Sequence, residues 1–310
     1  MRYTTGTCGF SSDTPCVITL GKFDGLHRGH KKLLERVVDI AGERKLTSVM
    51  FTFEVSPYTL TQDNRHRVLL TNAERCQMLE QTDLDWLIEC PFDEHMMHME
   101  AEEFVREILV KRLKAACLVI GPDFRFGHNR AGDAVLLEHM GREYGFSVEV
   151  LSKEMYGNQE ISSTLVRDCI LRGNMEMAAD MLGYPYFFYG KIIHGRHIGR
   201  TLGLPTTNLK ADENKVLPPF GVYATRSSIG EMEFGGVTNI GVKPTVQEKF
   251  VGIETHLFSC NLNLYGDMQK VELMHFQRAE RKFASLEELK RQILADGKDA
   301  RSVLQKLKAM

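Results

Sequence analysis

The hydrophobic period of this chain changes once, near Gly183, and that change limits what it can fold into. Before it, short apolar runs alternate with stretches patterned at helical spacing. Cys16–Leu20 (CVITL) reads as a buried strand ending at Gly21. Leu33, Leu34, Val37, Val38 and Ala41 then share one helical face. Residues 48–53, 86–90, 117–120 and 148–151 read as further strands, and 73–79, 100–113 and 134–144 as the helices among them. Strand and helix in alternation predict an α/β unit, a Rossmann-like, doubly wound parallel sheet. Ligands of such sheets sit outside the carboxyl ends of the strands, so the loops after Leu20, Phe53 and Ile120 matter most.

Two helical patterns follow, at 163–171 and 175–182. From Tyr186 the chain is patterned as all-β: FFYGKII, GVYATRSS, GGVTNIG, ETHLFSCNL and KVELMHF. Turn residues separate these runs, at His194-Gly195, Pro218-Pro219, Ile229-Gly230 and Gly266-Asp267. A small β-barrel is expected, closed by an amphipathic helix over 286–307. The division expected is therefore 1–183 and 184–310.

The formal charge is -2 over 310 residues, which argues against a general basic field for long nucleic acids. No apolar run approaches the roughly 18–20 residues that span a bilayer. Seven scattered cysteines show no CxxC or zinc-finger spacing, and the polar N-terminus lacks the apolar stretch of a signal peptide. A cytoplasmic protein with reduced thiols is expected, with neither nucleic acid nor membrane as partner.

The loop after the first apolar run reads Gly21-Lys22-Phe23-Asp24-Gly25-Leu26-His27-Arg28-Gly29-His30 and opens a helix. Gly25 and Gly29 allow close approach of backbone to ligand, and a helix start offers free N–H groups to phosphate. His27 and His30 can donate hydrogen bonds to phosphate oxygens. An HxGH pair so placed fits nucleotidyl transfer, in which charge develops on an α-phosphate. The competing reading is two surface histidines beside a turn, which the strand–loop–helix context disfavours. Two further segments belong at the same sheet edge. One is Gly121-Pro122-Asp123-Phe124-Arg125-Phe126-Gly127 with Arg130. The other is Ser162-Ser163-Thr164 with Arg167, which reads as a triphosphate grip or as a plain helix cap.

In the β half, Gly190, Gly195, Gly199 and Gly203 lead into Leu204-Pro205-Thr206-Thr207-Asn208, with Lys191, Arg196 and Arg200 interleaved. The Thr206 hydroxyl and the Asn208 amide oxygen are hard ligands suited to Mg²⁺ carried with phosphates. A glycine-rich turn without ligand is the alternative. Glu254, between Ile253 and Thr255 in a β-type run, could take a proton from a hydroxyl nucleophile, or could be a solvated surface carboxylate.

Taken in order, GKFDGLHRGH, GPDFRFG and ISSTLVR, then GRTLGLPTTN, LPPFGVYA, TNIGVKPT, IETHLF, LYG and RAERKF, resemble the prokaryotic bifunctional riboflavin kinase/FMN adenylyltransferases, the FAD synthetases. The resemblance runs from about Cys16 to Ala300. It implies a nucleotidyltransferase-type α/β domain followed by a six-stranded β-barrel kinase. It implies two reactions: riboflavin and ATP give FMN and ADP, and FMN and ATP then give FAD and pyrophosphate.

Carried over residue by residue, His27 and His30 would stabilise adenylyl transfer. Gly21, Phe23, Asp24, Gly25, Asp123, Arg130, Ser163, Thr164 and Arg167 would help hold ATP or FMN. Gly195, Gly199 and Gly203 would lie at the kinase nucleotide. Thr206 and Asn208 would bind Mg²⁺ and phosphate, Glu254 would be the base on the ribityl 5′-hydroxyl, and Arg278 would lie on a loop near the flavin.

The chain departs from the family where F-x-P-H-P is usual: it has Phe53-Glu54-Val55-Ser56-Pro57. The expectation there is a working but slower adenylyltransferase. PTAN is PTTN here, and R-P-E is Arg278-Ala279-Glu280. Two other readings compete: a class I aminoacyl-tRNA-synthetase-like adenylating enzyme, and a flavin- or nucleotide-binding regulatory protein. The PTTN–Glu254 set argues against the first, and the presence of His27, His30, Thr206, Asn208 and Glu254 against the second.

Overall fold

The computed structural model describes residues 1–7, 9–54, 67–195, 204–244 and 249–309. Val55, Ser56, Arg196, Gly199, Arg200 and Gly203 lie outside them. The chain divides into two compact units, Met1–Ser163 and Thr164–Met310.

The first unit is built on a six-stranded sheet whose pairs are all parallel. Its strands are β1 (Arg2–Thr5), β2 (Cys16–Leu20), β3 (Thr47–Phe53), β4 (Trp86–Cys90), β5 (Ala115–Ile120) and β6 (Ser147–Val150), in the order β1-β4-β3-β2-β5-β6. The helices are α1 (Arg28–Arg44), α2 (Asn72–Leu79), α3 (Glu94–His98), α4 (Ala101–Glu103, continuing in wider turns over Phe104–Arg112) and α5 (Ala134–Tyr144). A hairpin of β7 (Met155–Tyr156) and β8 (Gln159–Glu160) follows.

Every residue of β2 is buried. Cys16, Ile18 and Leu20 join the core on one face of the sheet, while Val17 meets Val37, Ile40 and Ala41 of α1 on the other. That period of two explains the unbroken apolar run. The chain turns to β3 on one side of β2 and returns as β5 on the other, so the loop after β2 opens at the switch point of the sheet.

The second unit holds α6 (Ser163–Leu171, starting at the boundary), α7 (Met175–Leu182) and a six-stranded antiparallel sheet. Its strands are β9 (Phe187–Lys191), β10 (Thr207–Lys210), β11 (Gly221–Ile229), β12 (Met232–Pro244), β13 (Lys249–Leu257) and β14 (Met268–Ala279), in the order β10-β13-β12-β11-β14-β9. The edge strands β9 and β10 approach through an isolated bridge, Ile193 with Asn208, so the sheet is a nearly closed barrel. The terminal helix α8 (Leu286–Ala309) covers β11 and β12, with Ala300 among Val222, Ala224 and Val237. The expected fold class, a parallel α/β unit followed by an all-β barrel with a terminal helix, is the one observed.

Candidate active sites

Three residues of the loop after β2 adopt left-handed backbone: Phe23 (φ 47°), Gly25 (φ 85°) and Leu26 (φ 37°). Gly25 takes this conformation without strain, whereas Phe23 and Leu26 carry it against their Cβ atoms. The loop is pinned at its start. Gly21 N–H donates to the Phe51 carbonyl at 3.2 Å, and the Lys22 carbonyl accepts from Thr52 Oγ1 at 3.3 Å and Arg75 Nη1 at 3.4 Å. Arg75 is buried, paired with the equally buried Glu89 of β4, and its Nη2 donates to Asn72 Oδ1 at 3.0 Å. Tyr3 OH donates to the second Glu89 oxygen at 2.6 Å, and burial pushes the Tyr3 phenol well up. Sequence reasoning missed this support. Its one signal was a carboxylate inside the apolar run WLIEC.

His27 caps α1: its Nδ1 accepts from the His30 N–H at 3.4 Å. The two imidazoles stack, and Phe23 meets His30 edge-on at 5.2 Å between centroids. Burial lowers His27 to about 4 and holds His30 well below the ordinary histidine range, with His27 adding to the effect on His30. Both rings are therefore neutral at pH 7. The buried Nδ1 of His30 has no hydrogen-bond partner among the described residues.

The other residues expected at this edge have definite places. Asp24 Oδ1 accepts from Leu69 N–H at 2.7 Å, and the Asp24 carbonyl accepts from Ser163 Oγ at 2.7 Å. The structure thus brings Asp24 and Ser163 together. Asp123, after β5, is largely exposed and ion-paired with Lys153, which also reaches Glu160 at 2.5 Å. Arg130 is exposed, in a left-handed turn (φ 58°) that follows Gly127. Gly127 is needed there: a Cβ on it would stand 2.7 Å from Ala101 Cα. Thr164 and Arg167 lie in the first two turns of α6, one exposed and the other half-buried.

In the barrel, register places Glu254 of β13 opposite Asn208 of β10 on one side and Asn239 of β12 on the other. Glu254 Oε1 accepts from Thr206 Oγ1 at 3.0 Å, and Oε2 pairs with Lys243 Nζ at 2.6 Å. Gly195 lies against Asn208, where a Cβ would come within 2.8 Å of the Asn208 Cγ. A cavity of about 390 Å³ opens beside them, lined by His194, Gly195, Thr206, Asn208, Leu257 and Tyr265 among others. The His194 and Tyr265 rings, both in its lining, stack on each other at 3.9 Å between centroids.

Among the described residues no three His, Cys, Asp or Glu side chains are grouped to hold a metal ion. The Thr206 hydroxyl keeps lone pairs after donating to Glu254, and Asn208 adds an amide oxygen. Such a donor set fits a hard cation that arrives with its own phosphate ligands. Arg278 stands at the end of β14 rather than on a loop, in a bidentate pair with Asp296 of α8 at 2.9 and 2.6 Å.

Residues 10–165 match the family model for FAD synthetase, and residues 182–304 match the model for riboflavin kinase. The two matches make the chain a two-part transferase acting on flavins. The chain is 38% identical over 288 residues to the bifunctional riboflavin kinase/FMN adenylyltransferase of Escherichia coli K12, covering 92% of each. The enzyme of the same name from Haemophilus influenzae is 35% identical over 290 residues, covering 93% of this chain and 94% of that one. A crystal structure from Streptococcus pneumoniae, described as a macrolide-efflux protein, superposes with a TM-score of 0.83 at 28% identity, covering 94% of this chain and 96% of that one. The chain belongs to the bifunctional riboflavin kinase/FMN adenylyltransferase family, and it carries both activities.

Proposed function

We propose that the barrel transfers the γ-phosphate of ATP to the ribityl 5′-hydroxyl of riboflavin, giving FMN and ADP. The loop after β2 then serves transfer of AMP from a second ATP to the FMN phosphate, giving FAD and pyrophosphate. The observation that carries the kinase assignment is Glu254, held by Thr206 and Lys243 and paired in register with Asn208, where Thr206 and Asn208 line a nucleotide-sized cavity. In this reading Glu254 accepts the hydroxyl proton as the oxygen attacks phosphorus. Thr206 and Asn208 hold Mg²⁺ with the ATP phosphates, and the bound cation supplies neutralising charge. His194, Gly195 and Tyr265 line the nucleotide cavity, with Gly199 and Gly203 on the same segment. Arg278 acts near the flavin from the end of β14.

At the other site, neutral His27 and His30 donate to the α-phosphate as charge builds there. Gly21, Phe23, Asp24 and Gly25 shape the loop, and Asp123, Arg130, Ser163, Thr164 and Arg167 contribute to holding ATP or FMN. The functional division proposed is 1–183 and 184–310, the second part starting beside the riboflavin kinase match at 182. A cytoplasmic location belongs to the same proposal, supported by the free thiols of Cys16, Cys76, Cys90, Cys117, Cys169 and Cys260. Separately, no helix among the described residues is long and apolar enough to cross a membrane.

The test is a time course with riboflavin, ATP and Mg²⁺ in which FMN and FAD are resolved. FMN should rise first and FAD follow. Glu254→Gln should lose about 10²–10⁴-fold in FMN formation and still adenylylate supplied FMN. Normal FMN formation by that variant would remove Glu254 as the base.

A further inference from the structure

We propose that Lys243 is the positioning residue for the kinase base, and that Gly252 is bare so that Lys243 can reach it. The inference rests on Glu254 being that base. Lys243 of β12 stands opposite Phe250 of β13, while Glu254 lies four residues further along β13. The lysine therefore has to run diagonally across the ladder, and Gly252 lies in its way. Gly252 and Glu254 share a face of β13 by the period of two. A Cβ on Gly252 would stand 2.5 Å from Lys243 Cγ, 3.2 Å from Cε and 3.4 Å from Cδ. The lysine stem thus lies directly on glycine backbone, and its ammonium ends 2.6 Å from Glu254 Oε2.

Among the described residues, Thr206 and Lys243 are the side chains that hold the Glu254 carboxylate. Thr206 holds Oε1, and Lys243 holds Oε2. One contact on each oxygen sets both the reach and the plane of the carboxylate. An ionised carboxylate has about four acceptor sites, so the two contacts leave room for a substrate hydroxyl. Asn239, the neighbour of Glu254 on β12, donates instead to Glu280 Oε1 at 3.0 Å. The Lys243 and Glu254 side chains are 27% and 30% exposed, so their pair adds little to stability and its removal leaves the barrel folded. Its value lies in geometry, to which general-base catalysis is steeply sensitive.

The experiment compares Lys243→Met, Lys243→Arg, Gly252→Ala and Glu254→Gln in the full chain, measuring kcat and KM for riboflavin phosphorylation. FMN adenylylation by the same preparation is the internal reference, and the thermal unfolding midpoint checks the barrel. Lys243→Met and Gly252→Ala should each lower kcat by about ten- to a hundredfold, with the KM for ATP little changed. Lys243→Arg should recover most of the loss. In the Glu254→Gln background, Lys243→Met should add no further loss, because both changes disable one device.

Near-native kcat in Lys243→Met would overturn the proposal. So would a raised KM for ATP with kcat kept, which would make Lys243 a phosphate ligand. If Gly252→Ala unfolds the barrel, Lys243→Met decides alone. Near-native turnover in Glu254→Gln would defeat the base assignment itself, a different result from an active Lys243→Met beside an inactive Glu254→Gln.

Discussion

The imidazoles of His27 and His30 lie face to face, 3.6 Å apart between centroids with planes inclined by 17°. Two imidazolium ions would repel strongly at that distance, and burial already holds both rings neutral. Because His27 Nδ1 accepts from the His30 amide, its proton resides on Nε2. In the proposed adenylylation the pair would meet a triphosphate as neutral donors, beside the N-terminus of α1.

The first prediction concerns pH and stability. In the unfolded chain His27 titrates near 6.5, and in the folded chain near 4. Between these values the unfolded state binds more protons, so stability falls as pH drops through that window and is complete above it. At full slope the loss is about 1.4 kcal/mol per pH unit. Denaturant unfolding of the first unit at pH 7, 6 and 5 measures it, and His27→Gln should flatten the profile. Equal stability of the unaltered chain at pH 5 and pH 7 would contradict the buried neutral pair.

The second concerns catalysis by the same residues. His27→Ala and His30→Ala should each lower FAD formation by about 10²–10³-fold while ATP affinity changes much less, because donors aimed at developing charge act in the transition state. Riboflavin phosphorylation by the same variants should continue. A loss confined to ATP affinity would assign the histidines to ground-state binding.

The third concerns the support beneath the loop. Arg75→Met leaves the Glu89 carboxylate buried without its partner and should destabilise the first unit by about 3–5 kcal/mol. Replacing both, Arg75→Met with Glu89→Met, should recover most of that stability. FAD formation should stay slow even so, because the Lys22 carbonyl has lost its guanidinium donor. A double variant that is both stable and fast would show that the pair serves the fold alone.

The fourth concerns where the chain can be cut. Helix α7 packs against β14, its Glu176 lies 2.5 Å from His275, and Met175, Ala178, Met181 and Leu182 are fully buried. A fragment 164–310 should be soluble and form FMN. A fragment 184–310 should unfold at lower denaturant, since each fully buried Met or Leu is worth about 1.5–3 kcal/mol. Equal unfolding midpoints for the two fragments would show that the helices add nothing to the barrel.

Much of this architecture could be read from residue spacing. Strand β2 and helices α5, α6 and α7 begin and end where the pattern places them, because each is a clean period bounded by a cap or a glycine. Strand β1 escaped notice because it is four mostly exposed residues at a sheet edge, with no apolar stripe. Strand β13 starts at Lys249, before the run that was expected to carry it, and ends at Leu257; Ser259 then turns left-handed (φ 57°). The stretch at Thr207–Lys210 looks like ligand-bearing loop by composition, yet pairing with β13 makes it strand. At the sites, His27, His30, Thr206, Asn208 and Glu254 were legible as residue types in motifs. Arg75 with Glu89, and Lys243 with Glu254, were not. Each is an ion pair between separate elements: packing of α2 against the sheet brings Arg75 to Glu89, and the β12–β13 register brings Lys243 to Glu254.

Asn208 supplies the carbonyl that accepts the Ile193 amide at 2.8 Å, and this bridge joins the two edge strands of the barrel. The residue assigned to metal and phosphate is thus also a stitch in the seam of its own domain. Among the described residues this isolated bridge is what joins the two edges, and such a seam opens more readily than a continuous ladder, so amide exchange should begin at Ile193. Any ligand that grips the Asn208 side chain holds the stitch closed, and opening then becomes harder as RT ln(1 + [L]/Kd) grows with ligand concentration. Nucleotide binding and the breathing of the barrel are two readings of one equilibrium.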